Sequence, residues 1–453
     1  MSSQRRMFGT DGVRGRANVS PMTPEMALRL GRAVTYLARR TGGRKTPRVI
    51  IGKDTRISCY MFEQAIAAGI CAMGGRVMLC GPIPTPAVAN LTHSMRADVG
   101  VVISASHNPF GDNGIKLFAR DGFKLPDRDE IELERLLEDE EIQRGPTGAS
   151  IGSAVRVDDA GGRYIVYAKN TFPADLTLDG LRVVVDAAHG AAYNVAPRVF
   201  SELGAEVIAL GVRPNGRNIN RDCGALSPQH VQKEVLRRKA HLGIALDGDA
   251  DRVILVDEKG QVVDGDAVMA LSAIRMLKEG KLKKKTLVAT VMSNLGLERA
   301  LESAGGKLLR TQVGDRYVVE AMRKHKLCLG GEQSGHLIFL DHATTGDGCV
   351  AALQMLAALK REERPMSELS KVMERVPQVL DGLTLRTRAP ISEMPLLQKS
   401  ILAAEKKLKK SGRVLVRWSG TEPKLRVMAE GPNEDQLRAM VSEMMAAAEK
   451  DIS

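Results

Sequence analysis

One order of elements recurs three times along the chain. Each time an apolar strand leads through a Gly- or Asn-containing turn to an amphipathic helix ending in small residues, then to a second strand, and later to a third apolar strand. The first copy runs RVIIGKDTR, FEQAIAAGICAMGG, RVMLCGP and VGVVI; the second runs LRVVVDAAHG, VAPRVFSELG, AEVIALG and LGIAL; the third runs TLVATVMSN, LERALESAGG, KLLRTQ and KLCLG. Strands that alternate with helices and read as continuous apolar runs imply parallel or mixed sheets covered on both faces. Each copy is therefore expected to be a small α/β domain of its own.

From about Val372 the character changes to a Lys-rich helix (QKSILAAEKKLKK), the paired strands of RVLVRWSGTEPKLRVMAEG, and a final helix, EDQLRAMVSEMMAAAEK. This reads as a smaller α+β domain. At roughly 150 residues per domain, a chain of 453 residues has room for about three domains, or more if they are small. The expected architecture is α/β: three similar α/β domains with mixed sheets, plus a smaller C-terminal α+β domain, around a central cleft. The expected boundaries are 1–150, 151–260, 261–371 and 372–453, and the charged segment EIELERLLEDEEIQRGPTG suits a helix leading to the first of them.

A polar motif follows the third apolar strand of every copy: SASHNP, DGDADR and GEQSGH. Ligand sites in open α/β sheets lie beyond the carboxyl ends of strands, so three such ends can converge on one cleft. A formal charge of +12 favours an anionic partner. The Lys runs at 283–285 and 406–410 carry no interleaved aromatics for base stacking, and only 3% of the residues are aromatic, so a phosphorylated small molecule is favoured over nucleic acid. The six cysteines form no CxxC pair and the N-terminus lacks an apolar leader segment. No stretch approaches the roughly 18 apolar residues of a membrane span, so a reducing, cytoplasmic setting is expected.

The motifs carry recognisable chemistry. Ser104 and Ser106 end a strand before Pro109; if the segment is extended they face one side, and either hydroxyl can serve as a nucleophile or phosphoryl carrier. Asp247, Asp249 and Asp251 alternate, which places three carboxylates on one side of an extended segment, an all-oxygen cluster suited to Mg²⁺. A calcium loop is excluded because its sixth position, which needs Gly, holds Arg252. Around GEQSGH, Glu332 and Ser334 offer partners for sugar hydroxyls, and His336 can move a proton near neutral pH. Arg417, Ser419, Gly420, Thr421 and Arg426 supply the hydroxyls, backbone N–H groups and guanidinium forks that suit a phosphate monoester. FGTDGVRG adds Thr10 and Arg14, and DNGIK adds Lys116.

SASHNP, DGDADR, GEQSGH and RWSGTEPKLR, in that order, resemble the four signature loops of the α-D-phosphohexomutase superfamily, and the resemblance spans nearly the whole chain. Within that family, FGTDGVRGR, IGKDTR, the serine loop and Gln333 resemble the bacterial phosphoglucosamine mutases more than the phosphoglucomutase/phosphomannomutase branch, which stands as the alternative. The resemblance implies that Ser106 rather than Ser104 is the phosphoserine, and that Asp247, Asp249 and Asp251 bind Mg²⁺ with an oxygen on Ser106. It further implies that Glu332 and Ser334 hold the sugar, and that Arg417, Ser419, Gly420, Thr421 and Arg426 clamp the phosphate that is not reacting. Arg14, His107, Lys116 and Arg252 match positions lining the reaction centre, with Lys116 and His336 the candidates for proton transfer. The implied activity interconverts glucosamine 6-phosphate and glucosamine 1-phosphate through glucosamine 1,6-bisphosphate, for amino-sugar biosynthesis, in a homodimer.

Overall fold

A computed structural model describes residues 7–9, 11–385, 387–419 and 424–452. The threefold repeat holds at the level of topology. In the first sheet Arg48–Lys53 lies between Arg76–Pro82 and Val99–Ile103, in the second Arg182–Asp186 lies between Glu206–Leu210 and Leu242–Leu246, and in the third Thr286–Thr290 lies between Lys307–Thr311 and Leu329–Gly331. These neighbours are parallel in all three sheets.

Each unit then adds a strand that no periodicity singles out. Asp112–Ala119, Val253–Asp257 and Leu337–Phe339 fold back antiparallel on the third strand of their own unit. The sheets are mixed for this reason, and each polar motif is the connection of a hairpin. The first sheet also takes in Val13–Arg16 at one edge and Ser153–Arg156 at the other, so it reaches past residue 150, the first expected boundary. The C-terminal domain is a three-stranded antiparallel sheet, Gln378–Thr384, Lys424–Glu430 and Arg413–Trp418, covered by helices Pro395–Leu408 and Glu434–Ile452.

One continuous apolar core unites the second and third units with one face of the first: Ala87 and Val88 of helix Thr85–Ser94 share it with Tyr164, Val185, Leu246, Leu287 and Leu353. The C-terminal domain has a core of its own, around Leu397, Val427, Leu437 and Met444. It is tied to the third unit by polar contacts. Arg413 donates to the carbonyls of Val291 (2.9 Å) and Ser293 (2.7 Å), and Asn294 donates to the Val376 carbonyl (2.9 Å) and to the buried Glu430 carboxylate (3.1 Å). Small, polar inter-domain contacts of this kind permit rigid-body motion, whereas a shared apolar core resists it. Among the described residues no helix is long and apolar enough to cross a membrane.

Next to this junction Asp266 is wholly buried, and its carboxylate accepts from the Asn294 N–H at 2.8 Å. Burial, and secondarily the charge of Asp264, pushes its carboxyl up to about 7. A carboxyl whose pKa is raised by folding contributes stability while protonated and loses it as the pH climbs through that value. Asp266→Asn should therefore gain in Tm relative to the parent as the pH rises from about 4 to about 7, with the gap levelling off above that. Paired melting curves check this, and a constant gap would mean that Asp266 ionises as an exposed carboxyl does.

Candidate active site

Strand Val99–Ile103 is fully buried, and its end delivers Ser104, Ala105 and Ser106 into the cleft between the first two units. The segment is not extended there, because Ser106 has a φ of 52°. A non-glycine residue in that left-handed region costs about 1–3 kcal/mol and persists only where its surroundings enforce it. The turn breaks the expected alternation of the two serines and separates their tasks. Ser104 Oγ accepts from the Ser106 N–H at 2.9 Å, while Ser106 Oγ points across the domain boundary and donates to Asp247 Oδ2 at 2.6 Å. His107 Nδ1 lies 3.3 Å from the same hydroxyl. Burial, reinforced by Arg252 and Arg14, lowers His107 to about 4, so its ring is neutral near pH 7.

Asp247, Asp249 and Asp251 sit in the hairpin turn between Leu242–Leu246 and Val253–Asp257, with Ala250 left-handed at φ 58°. The turn replaces the extended run expected from the spacing. The three carboxylates still converge, each offering an oxygen within 4.8 Å of the others, and all three are buried. Burial first, then Asp251 and Asp249, raises the Asp247 carboxyl well above its ordinary value. Asp249 is held well below it: burial opposes ionisation, but Lys116 overcomes that, helped by the Thr85 hydroxyl.

Lys116, on the return strand Asp112–Ala119, is the hub of this cluster. Its ammonium contacts Asp249 (2.9 Å), Asp251 (3.1 Å) and Asp11 (3.0 Å) and is almost wholly buried, yet its pKa is raised because these carboxylates outweigh desolvation. Thr85, at the start of helix Thr85–Ser94, donates to Asp249 Oδ2 at 2.6 Å. The Oδ1 atoms of Asp249 and Asp251 are buried with no hydrogen-bond partner. Two uncommitted carboxylate oxygens beside Asp247 and Ser106 form a hard, all-oxygen donor set that fits a divalent cation such as Mg²⁺.

The third unit closes the other side. In GEQSGH, Glu332 accepts from the Gly314 N–H at 3.0 Å, and Ser334 Oγ lies 3.4 Å from Glu332 Oε2. His336 is buried, neither ring nitrogen makes a hydrogen bond, and Nε2 is 3.4 Å from Asp315 Oδ2 and 4.0 Å from Asp251 Oδ2. Gly346 allows this placement: a Cβ there would lie 2.5 Å from His336 Nε2. Lys124 bridges Asp11 of the first unit to Asp315 of the third, and Arg14 pairs with Asp11. The half-buried Arg252 is held in its charged form: desolvation opposes this, and Asp251, Asp247 and Glu332 outweigh it.

In the C-terminal domain Arg417 and Arg426 face each other across the antiparallel pair Arg413–Trp418 and Lys424–Glu430. Burial first, and then the neighbouring Arg426, lowers the Arg417 pKa, while Glu332 raises it, so this paired positive charge stands close to the GEQSGH loop. Two like charges held together favour an anion between them. Ser419 is buried at the end of the strand; Gly420 and Thr421, like Thr10, lie outside the described residues.

The fold thus brings Ser106, Lys116, the three aspartates and His336, all buried, together with the half-buried His107, Arg14 and Arg252 into one cluster, with Glu332 linking it electrostatically to Arg417. No motif singles out Thr85, Lys124 or Asp315, which the fold adds. Asp11 lies between Thr10 and Arg14 in FGTDGVRG, and a carboxylate flanked by such groups is the one signal that could have marked it.

Family models of the phosphoglucomutase/phosphomannomutases match in succession: alpha/beta/alpha domain I over residues 5–144, domain II over 163–260, domain III over 264–376 and the C-terminal domain over 364–447. A Sorangium cellulosum protein named phosphoglucosamine mutase is 65% identical over 451 residues, 99% of this chain and 94% of that protein. Among solved structures, a phosphoglucomutase/phosphomannomutase family protein from Burkholderia thailandensis shares the fold with a TM-score of 0.81 at 24% identity, covering 98% of this chain and 97% of that one. The N-acetylphosphoglucosamine mutase of Aspergillus fumigatus, solved with GlcNAc-6P and magnesium, has a TM-score of 0.68 at 17% identity, covering 100% of this chain and 97% of that one.

Proposed function

The chain belongs to the phosphoglucomutase/phosphomannomutase family, in its phosphoglucosamine mutase branch, and from that footing we propose how its residues interconvert glucosamine 6-phosphate and glucosamine 1-phosphate. The carrier is Ser106, and the observation that supports this most directly is its hydroxyl, 2.6 Å from Asp247 beside two uncommitted carboxylate oxygens. Phosphorylated Ser106 donates its phosphoryl group to O1 of the bound 6-phosphate: the P–Oγ bond breaks, a P–O1 bond forms, and the O1 proton passes to a base. The resulting 1,6-bisphosphate turns end for end. Its C6 phosphoryl group returns to Ser106, O6 takes up a proton, and glucosamine 1-phosphate leaves.

Transfer of this kind depends on positioning and on neutralising charge more than on covalent chemistry from the protein. Asp247, Asp249 and Asp251, with a phosphoserine oxygen, would hold Mg²⁺, which supplies charge neutralisation at the transferring group when bound. Lys116, Arg14 and Arg252 add fixed positive charge. His336, whose ring nitrogens make no hydrogen bond and whose Nε2 faces Asp315 at 3.4 Å, and Lys116, engaged by three carboxylates, are the two proton-transfer candidates. Glu332 and Ser334 hold sugar hydroxyls, and Arg417, Arg426 and Ser419, with Gly420 and Thr421, grip the idle phosphate. Either end of the bisphosphate must reach that grip, and the polar attachment of the C-terminal domain suits it to swing. The family resemblance further supports action as a homodimer in the cytoplasm, which light scattering and fractionation test.

Incubation with Mg²⁺, a trace of 1,6-bisphosphate and, separately, the 6-phosphates of glucosamine, glucose and mannose should give fastest conversion of glucosamine 6-phosphate. Preference for glucose or mannose would move the chain to the sister branch. Asp249→Asn takes away one of the three ligand charges and should raise the Mg²⁺ concentration for half-maximal activity by about tenfold or more. An unchanged metal dependence would remove Asp249 from the site.

A further inference from the structure

The left-handed turn at Ser106 needs something to hold it, and two side chains from different domains do so at the same pair of atoms. Arg56 Nη2 donates to the carbonyls of Ser106 (3.2 Å) and Asn108 (2.5 Å); Asn220 Nδ2 donates to the same two carbonyls at 2.9 and 3.1 Å. Arg56 is wholly buried, and its other guanidinium arm is pinned by Asp54, also wholly buried. Asn220 belongs to the second unit, where its own φ is 58° and its N–H is anchored on the Ala188 carbonyl at 2.9 Å. The metal loop crowds the same place: a Cβ at Gly248 would lie 2.5 Å from the Ser106 carbonyl oxygen.

The residues on either side of Arg56 staple the two units together. Thr55 Oγ1 donates to the His189 carbonyl at 2.5 Å, and the Ile57 N–H donates to the Gly216 carbonyl at 2.9 Å. One short segment, 54–57, therefore docks the second unit and also grips the serine loop. The hydrogen bonds of Arg56 and Asn220 on this loop go to its carbonyls and not to the Ser106 hydroxyl, so their effect on transfer passes through the backbone.

We propose that Arg56 and Asn220 are positioning residues for phosphoryl transfer: an inter-domain clamp on the carbonyls of Ser106 and Asn108 that keeps Ser106 left-handed, with its oxygen directed at Asp247. The clamp rests on the reading of Ser106 as the carrier. It makes correct presentation of the phosphoserine conditional on docking of the first two units, and it leaves sugar binding, which falls to the third and fourth units, untouched.

Asn220→Asp is the informative variant. Asn and Asp both tolerate a left-handed backbone and have the same shape, but the carboxylate cannot donate to a carbonyl. Its kcat should fall about tenfold to a hundredfold, the scale of a reacting group displaced by about 1 Å, with KM for glucosamine 6-phosphate unchanged. The full-length protein, phosphorylated with glucose 1,6-bisphosphate, should show a phosphoserine ³¹P resonance that shifts or broadens in Asn220→Asp. Arg56→Lys, whose single and shorter-reaching ammonium cannot hold Asp54 and the two loop carbonyls together, should do the same.

A lowered Tm with kcat and the resonance unchanged would make the pair domain glue and overturn the proposal, as would a raised KM at constant kcat. Absence of any phosphoserine on the parent protein would overturn the assignment of Ser106 as carrier, a distinct result from an intact resonance in Asn220→Asp.

Discussion

Ser106→Ala should be unable to interconvert glucosamine 6-phosphate and glucosamine 1-phosphate, with a loss in kcat on the order of a million-fold, the scale seen when a nucleophile is removed from a site that otherwise stays intact. The change deletes one heavy atom. The substituted position keeps the N–H that bonds to Ser104 Oγ and the carbonyl held by Arg56 and Asn220, so the loop should keep its shape. What disappears is the hydroxyl that Asp247 accepts at 2.6 Å, and with it the only place in this scheme where the phosphoryl group can wait between its two sugar positions. Sugar binding, measured by titration with glucosamine 6-phosphate, should persist while ³¹P spectra show no 1-phosphate forming. Turnover of Ser106→Ala at the parental rate would sink the scheme outright.

Lys116→Met should cost both stability and activity. The ammonium is almost wholly buried and is the shared partner of Asp11, Asp249 and Asp251; removing it leaves carboxylates in low dielectric with much of their compensation gone. Breaking a buried ion pair from one side typically costs about 3–5 kcal/mol, because the remaining charge stays desolvated. Methionine fills the volume of the lysine stem, so the loss should be electrostatic rather than a cavity effect. The two causes separate in a melting experiment: added Mg²⁺ should raise the Tm of Lys116→Met more than that of the parent, since a divalent cation offsets the uncompensated carboxylates. An equal response in both proteins would mean that the aspartates do not feel Lys116. Activity should fall about a hundredfold or more, through lost charge neutralisation and a displaced Asp249.

Much of the site was legible because its residues are packed into short motifs at strand ends. Three acidic residues at alternate positions after LGIAL announce convergence whether the backbone there is extended or turned. The turn at Ala250 altered the geometry without scattering the carboxylates. The two serines show the limit of the same reasoning. Their spacing suggests equivalence on one side of a strand, and only the left-handed φ at Ser106, enforced from two domains, makes one a prop and the other the group presented to Asp247. Strands are expected on both sides of the aspartate loop, but that each unit's last strand returns antiparallel was hidden for a simpler reason. LIF in GHLIF is too short to show a period, and DNGIKLFA and VILVD are buried on both faces, so neither alternates in a way that tells a return strand from any other apolar run.

What the sequence determined by itself is what depends on near neighbours in the chain: the repeated strand–helix units, the distinct C-terminal domain, and the residue types offered at each strand end. Hydrophobic period, turn chemistry and motif spacing are local properties, and the backbone carries them unchanged into any arrangement of domains. Tertiary structure decided everything that requires distant segments to meet: that Lys116 balances carboxylates from two domains, that Thr85 and Asp249 share a hydrogen bond across 164 positions, that Lys124 bridges the first unit to the third, and that Arg56 and Asn220, from two domains, hold the same two carbonyls. These interactions gain their strength from burial, because the dielectric that makes an ion pair or a carbonyl clamp matter exists only once the domains have closed around it. A sequence records which groups are available, and the packed interior sets which of them must be satisfied together.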